Sequence, residues 1–358
     1  MSNPGAGRTR SPGRKNSKRL AIEVHLLACG HGDTILIKLP AKRWVLVDCH
    51  LPKHDGTHDR FFEFVRSRRI KRLDYIFQTH PHYDHFLGMT DVLEYFTRDG
   101  RSVGYWCDGG IDAQRLRDLN WAEAPSETHY GKLRASLDRL DENNQLVFRE
   151  LDDQQSPLSP KGFAGRVALV PIAPLAAKKR SSALFQAESG AQSDGARLAT
   201  NALSLVLVLT VKENRKCCNV LLAADAEKGD LEVALQSWRE YAEQNGRPAG
   251  FDAVKVPHHG SIDAHPPGFC TAPGNTETRV AAISAGTRRG LPDERAIIDY
   301  LNENWLVLLT TTRRQRSVCA RPMDIVNRRK PISPQFRLAQ HQDHLDSRRW
   351  FIVGAQEV

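Results

Sequence analysis

The chain has 358 residues, 40% of them hydrophobic, and a formal net charge of +9. This is enough to bury one large core with a modest appendage, and no run of about 18 apolar residues occurs, so no membrane span is expected. Its seven cysteines are odd in number and scattered, and the adjacent Cys217 and Cys218 would make a strained disulfide; reduced thiols and a cytoplasmic location are the simplest expectation.

Residues 1–19 carry six basic side chains (Arg8, Arg10, Arg14, Lys15, Lys18 and Arg19) and no acid. Rich in Gly, Pro, Ser and Arg, the segment reads as a disordered basic leader without the apolar stretch of a secretory signal. It is either a solubilising tail or an arm that attracts a polyanion. A folded domain is expected over 20–318, opening with strands at Ala21–Leu27, Thr34–Leu39 and Trp44–Asp48. The tight turn Cys29-Gly30-His31-Gly32-Asp33 joins the first two. Strands so close in sequence predict an antiparallel meander.

A helix near Arg60–Arg69 follows, with Phe61, Phe62 and Val65 inward, then a buried strand at Asp74–Gln78. After His85, the residues Leu87, Val92, Leu93 and Phe96 recur at helical spacing. Helical patterns at Ala113–Leu119 and Tyr130–Leu140 precede a strand at Val167–Pro171, while Ala176–Thr200 reads as a loop or insertion. Further strands are expected at Ala202–Leu209, Asn219–Ala223, Ala253–Pro257, Val280–Ser284 and Leu306–Thr310, with helices near Leu231–Gln244 and Glu294–Asn304. Residues 319–358 read as a C-terminal extension, and the basic cluster Arg313, Arg314, Arg316, Arg321, Arg328, Arg329 and Lys330 spans its start. Two halves of strands continuing into helices predict an α/β fold, an αββα sandwich of two mixed sheets with outer helices.

The chemistry concentrates in Thr79-His80-Pro81-His82-Tyr83-Asp84-His85, on a strand-to-helix loop. Histidine and aspartate are the donors that zinc and similar ions take in hydrolytic sites. His80 and His82 face the same way in extended chain and are expected on one ion, with Asp84 and His85 on a second. Asp225 could bridge the two, and a pair of ions would hold a hydroxide between them, with Asp84 acting in catalysis as well as ligation. His258 and His259 are adjacent and in extended chain would face opposite sides. His259 is favoured as a ligand and His258 as the group that meets substrate, although the reverse assignment stays open. Ser261 could hold substrate just beyond them. Asp48 could orient a ligand histidine, or be a satisfied turn carboxylate.

The pattern His80-x-His82-x-Asp84-His85, with Asp225 after an apolar strand and the late His259, resembles the metallo-β-lactamase superfamily. More narrowly it resembles the hydrolase domain of the competence DNA-channel protein ComEC. The motifs are Gly30-His31-Gly32-Asp33, Asn201-Ala202-Leu203-Ser204-Leu205-Val206, Leu221-Leu222-Ala223-Ala224-Asp225-Ala226-Glu227 and Lys255-Val256-Pro257-His258-His259-Gly260-Ser261. The resemblance spans about residues 20–312 and implies a metallo-hydrolase with one or two divalent ions, zinc or manganese, and DNA cleavage. Two departures stand out. The only histidine between His85 and Asp225 is His129, where many members supply a third histidine to the first ion, and Gly290-Leu291-Pro292 replaces a late Gly-His-Pro element. A mononuclear site of Asp84, His85, Asp225 and His259 is therefore an alternative.

The basic termini and the resemblance together point to phosphodiesters: a nuclease or nucleotide phosphodiesterase binding nucleic acid or nucleotides without sequence preference. The rival classes are a small-molecule ester, thioester or lactone hydrolase, and a metal-poor effector or binding subunit with a protein partner in a multi-component system. The intact donor set argues against the last.

Overall fold

The computed structural model describes residues 22–54, 56–110, 124–181, 201–213, 216–271, 279–285, 290–310, 336–341 and 350–355. The leader 1–19, the expected helix Ala113–Leu119, residues 182–200 of the expected loop and the basic cluster at 313–330 lie outside them. The first half begins with three antiparallel strands, β1 (Glu23–Leu26), β2 (Ile35–Leu39) and β3 (Arg43–Val47). It continues in parallel with β4 (Arg72–Gln78), β5 (Ser102–Asp108) and β6 (Val147–Glu150). The second half repeats the plan. β7 (Val167–Ala173), β8 (Val206–Glu213) and β9 (Lys216–Leu222) are antiparallel, and β10 (Ala253–Lys255), β11 (Arg279–Ile283) and β12 (Trp305–Leu309) are parallel. Two late strands, β13 (Phe336–His341) and β14 (Trp350–Ala355), come from the segment read as an extension. β14 pairs with β1, Glu23 opposite Gly354. The result is an eight-stranded sheet, β13-β14-β1-β2-β3-β4-β5-β6, and a six-stranded one, β12-β11-β10-β9-β8-β7.

Period-two alternation explains the layering. Ile35, Ile37, Val45, Val47 and Phe77 of the first sheet join Leu207, Leu209, Val220 and Leu222 of the second in one core between the sheets. The alternate residues Leu36, Trp44, Leu46 and Ile76 face outward. There they meet Phe61, Phe62 and Val65 of helix α1 (Thr57–Ser67), then Val92, Leu93 and Phe96 of α3 (Met89–Phe96), which follows the one-turn α2 (Tyr83–Phe86), and then Leu133, Leu137 and Leu140 of α4 (Ala124–Glu142). After the short α5 (Ala176–Ser181), the second sheet is covered by α6 (Lys228–Gln244), through Leu231, Leu235 and Trp238, and by α7 (Glu294–Asn302), through Tyr300. Four layers follow, α, β, β, α, as expected. Each fully buried side chain of this size contributes about 1.5–3 kcal/mol; emptying the Phe61 site with alanine would cost about 3–5 kcal/mol.

The structure corrects the sequence reading at four places. β5 and β6 were not foreseen: Gly104 interrupts the apolar pattern of β5, since a Cβ there would lie 2.5 Å from the Asp74 carbonyl oxygen, and β6 is exposed along its length. The expected strand from Ala202 starts only at Val206. Leu205 instead donates its N–H to the Thr79 carbonyl at 2.9 Å, tying this approach to the histidine loop. Ala176–Ser181 is helix rather than loop. Finally, Phe86 and Met89 take the buried positions expected of Leu87, which is half-buried.

Candidate metal centre

The donors stand on turns at the ends of β1, β3, β4, β9 and β10, so the parallel strands of both sheets deliver side chains to one rim, the usual place for a site in an open α/β sheet. Four non-glycine residues there hold left-handed backbone: Asp48 (φ 54°), Ala224 (φ 50°), His258 (φ 44°) and His259 (φ 51°). Such a conformation costs about 1–2 kcal/mol per residue. Hydrogen bonds between the turns hold it, from Asp48 N–H to Phe77 O at 2.8 Å and from His258 N–H to Ala224 O at 3.0 Å.

On one side of the rim sits His85, fully buried. Asp48 fixes its orientation: Oδ2 lies 2.7 Å from His85 Nδ1 and also accepts from the Thr79 hydroxyl at 2.7 Å, while Oδ1 accepts from Thr79 N–H at 2.8 Å. With a proton held on Nδ1, the imidazole turns its Nε2, the atom a metal would take, toward Asp225, whose Oδ2 lies 3.4 Å away. His80, His85 and Asp225 form a group whose ligand atoms all lie within 4.8 Å of one another. His80 Nε2 is 3.0 Å from His82 Nδ1, near the separation of about 3.3 Å for two nitrogens on one tetrahedral ion.

On the other side sits His259, also fully buried. Its Nε2 is 3.4 Å from Asp225 Oδ2 and 3.5 Å from Asp84 Oδ2. His31 approaches the same Asp84 oxygen at 3.6 Å, and His31, Asp84 and His259 form a second group within 4.8 Å. One oxygen of Asp225 thus faces His85 and His259 together, the position expected of a bridging carboxylate.

Behind Asp225, Lys255 Nζ donates to the Ala224 carbonyl at 3.0 Å, pairs with Asp33 and lies 3.5 Å from Asp225 Oδ1. The Ser284 hydroxyl donates to Asp33. Burial alone would raise the pKa of Asp225, but His259, His85 and Lys255 hold it well below the usual carboxylate range. Burial likewise opposes charge on His259 and His85. Asp225 with Asp84 pushes His259 up to about 9, and Asp225 with Asp48 pushes His85 well above its ordinary value. His80 is driven well below its ordinary value by burial and by His85 and His82, so it is neutral with a lone pair to offer.

These residues fit divalent cations. Asp33, Asp84 and Asp225 converge on Lys255, His85 and His259, and a divalent ion could take the place of the protons that the carboxylates draw onto the two histidines. His85 Nε2, Asp225 Oδ1 and both ring nitrogens of His259 are buried without a hydrogen-bond partner among the described residues. Buried polar atoms are seldom left so, and His85 Nε2 and His259 Nε2 both face Asp225 Oδ2, at 3.4 Å each.

Residues 27–97 match the metallo-β-lactamase superfamily. This metallo-β-lactamase match contains the histidine loop, Asp48 and His31, and ends before Asp225 and His259. No curated protein matches the chain. Among solved structures, unliganded yeast PDE1 is similar at 11% identity over 82% of this chain and 98% of that one, with a TM-score of 0.47. The metallo-β-lactamase fold protein YhfI from Bacillus subtilis is similar at 11% identity over 81% and 96%, with a TM-score of 0.42. A long form RNase Z from yeast is similar at 13% identity over 87% and 41%, with a TM-score of 0.39.

The structure brings together His80, His82, Asp84, His85, Asp225 and His259, with Asp48 behind His85. The ligand atoms of His80, His85 and Asp225 lie within 4.8 Å of one another, as do those of His31, Asp84 and His259. Asp84 and His85 are consecutive on helix α2, so their side chains leave it about 100° apart. The turn at His258 and His259 is left-handed rather than extended. His258 Nε2 stands 3.9 Å from Asp225 Oδ2, its side chain 28% exposed at the mouth. Ser261 closes that turn, its N–H donating to His258 O at 2.9 Å and its carbonyl accepting from His265 Nδ1 at 2.7 Å. His129 packs edge-on against Tyr83, ring centroids 5.4 Å apart, and belongs to none of the donor groups found among the described residues. Gly290-Leu291-Pro292 also has a structural place: a Cβ on Gly260 would lie 2.6 Å from Pro292 Cβ, so the two turns pack closely.

Residue-by-residue reading missed His31, Asp33 and Lys255 as parts of the site. A signal existed for each. Polar residues set among glycines in a tight turn invite close backbone approach, and a lysine inside the apolar strand Ala253–Val256 needs a buried partner.

Proposed function

We propose that this chain is a metal-dependent hydrolase of phosphodiesters, a nuclease or nucleotide phosphodiesterase of metallo-β-lactamase type. The observation that carries the hydrolase reading is the convergence of buried ligand atoms from His80, His85, Asp225 and His259 on one rim, with His85 and His259 both facing Asp225 Oδ2 at 3.4 Å. His80, His82, His85 and Asp225 would hold one ion, and Asp84, Asp225 and His259 another, zinc or manganese. When bound, such ions polarise the ester and lower the pKa of attacking water toward about 7. The remaining work falls to the chain's own groups. Asp48 keeps the His85 proton on Nδ1, and Lys255 offsets charge on Asp33 and Asp225. In this reading His258, whose Nε2 stands 3.9 Å from Asp225 Oδ2, would exchange a proton with a leaving oxygen, and Ser261 would hold a substrate oxygen.

The anionic substrate is supported by the charge of +9, concentrated in the two terminal clusters, and by the motifs shared with the ComEC hydrolase domain. Purified protein with zinc or manganese should hydrolyse bis-(p-nitrophenyl) phosphate and lose the activity to a chelator. Turnover of a thioester or lactone panel in preference to the phosphodiester would move the substrate class to small esters. Deleting residues 1–19 should weaken DNA binding and flatten its salt dependence; an unchanged salt slope would make the leader a solubilising tail. No helix among the described residues is long and apolar enough to cross a membrane.

A further inference from the structure

We propose that His31 is itself a metal ligand, which with Asp84 and His259 forms a nitrogen–oxygen–nitrogen face for one divalent ion, beside the group made by His80, His85 and Asp225. The inference rests on the metallo-hydrolase reading and extends it, because His31 lies in the β1–β2 turn, outside the loops from which ligands were expected. His31 Nε2 lies 3.6 Å from Asp84 Oδ2, against 3.5 Å for His259 Nε2. The two imidazoles tilt toward each other with centroids 4.2 Å apart, and the three ligand atoms lie within 4.8 Å of one another.

The turn is built to hold that position. Gly30 takes a left-handed conformation (φ 79°), and a Cβ on Gly32 would lie 2.3 Å from His50 Nδ1 and 2.7 Å from the Asp84 carbonyl oxygen. The backbone therefore presses directly onto the histidine loop, where Asp33 N–H donates to Asp84 O at 3.0 Å. From the other side, the Asp33 carboxylate is gripped by Lys255 and Ser284 of the second sheet. His31 is thus pinned between the two halves, its side chain only 10% exposed. Two imidazoles and a carboxylate on each face suit borderline-soft ions of the zinc type rather than magnesium or calcium, and they give the chain enough donors for two ions without a histidine between His85 and Asp225.

The test is metal binding, independent of turnover. Full-length protein stripped of metal is titrated with Zn²⁺ and Co²⁺, following stoichiometry by elemental analysis, affinity by chelator competition and the cobalt absorption bands. Wild type should take up two ions. His31→Ala should weaken one of them by 10–100-fold and alter its cobalt spectrum, while His80→Ala weakens the other. His31→Gln, which keeps a polar side chain in the turn but lacks the imidazole donor, should behave as His31→Ala does, and the metal-free variants should unfold at the wild-type midpoint. Unchanged affinity for both ions in His31→Ala and His31→Gln would overturn the assignment and leave the hydrolase reading standing. A wild-type chain that takes up no divalent ion would overturn both.

Discussion

Replacing Asp48 by asparagine tests whether a hydrogen bond outside the ligand set controls the metal centre. The change keeps the size of the side chain, and asparagine tolerates the left-handed backbone (φ 54°) as well as aspartate does. Oδ1 can still accept from Thr79 N–H. The other oxygen becomes an NH2 group facing the Thr79 hydroxyl and His85 Nδ1. The hydroxyl can rotate to accept. His85 must then offer Nδ1 as the acceptor, which moves its proton to Nε2, the atom that faces Asp225 Oδ2 at 3.4 Å. A protonated Nε2 has no lone pair for an ion. Ligation would require two buried N–H groups to face each other, at about 1–3 kcal/mol. At 1.4 kcal/mol per factor of ten, the loss in metal affinity is about 5–150-fold, in the range of 10–100-fold typical of such supporting residues. Chelator competition with Zn²⁺ or Co²⁺ on the metal-free variant measures this directly, with chemical denaturation to show that the fold is kept. Asp48→Ala serves as contrast: it also leaves the Thr79 donors unpaired and should cost several kcal/mol of stability, about 1–3 for each buried donor abandoned. An Asp48→Asn protein that binds metal as tightly as wild type would refute the reasoning.

His80→Ala and Asp225→Ala should each abolish hydrolysis, the second more completely because Asp225 faces both His85 and His259; full activity in a metal-free Asp225→Ala protein would end the mechanism. His259→Ala should lose metal and activity together, whereas His258→Ala should keep its metal and lose turnover by about 10²–10⁴-fold, as for a group acting in proton transfer or on the transition state. The opposite pattern in metal content would reverse the two roles. Away from the site, the hydrogen bond from His25, aided by Lys38, holds Glu23 down to about 2. Because the folded pKa lies below the unfolded value of about 4.3, its contribution is present above that value and is lost as pH falls toward about 2. Glu23→Gln should remove about 1 kcal/mol of this acid dependence, after discounting for solvent screening of a partly exposed carboxylate. Equal urea midpoints for wild type and variant at pH 5, together with equal losses on going to pH 2.5, would contradict it.

Much of the architecture is local in origin and was legible in the chain. Alternation in Ile35–Leu39 and Arg43–Val47 set the sandwich faces, and the spacing of Phe61, Phe62 and Val65 set the covering helix. The cluster from His80 to His85 announced a metal loop without any tertiary information. Where local pattern was weak, the sequence was silent: Gly104 in β5 answers to a neighbouring backbone, and β6 carries no buried face. Only the tertiary structure decided which donors from distant segments meet. Asp84 and His85 are neighbours on helix α2, yet Asp84 Oδ2 lies 3.5 Å from His259 Nε2 while His85 Nε2 lies 3.4 Å from Asp225 Oδ2. His31 and Lys255 reach the centre from different sheets, joined through Asp33. Such contacts link residues more than two hundred positions apart, and their strength comes from burial, which sharpens every charge at the rim and which no stretch of sequence carries alone.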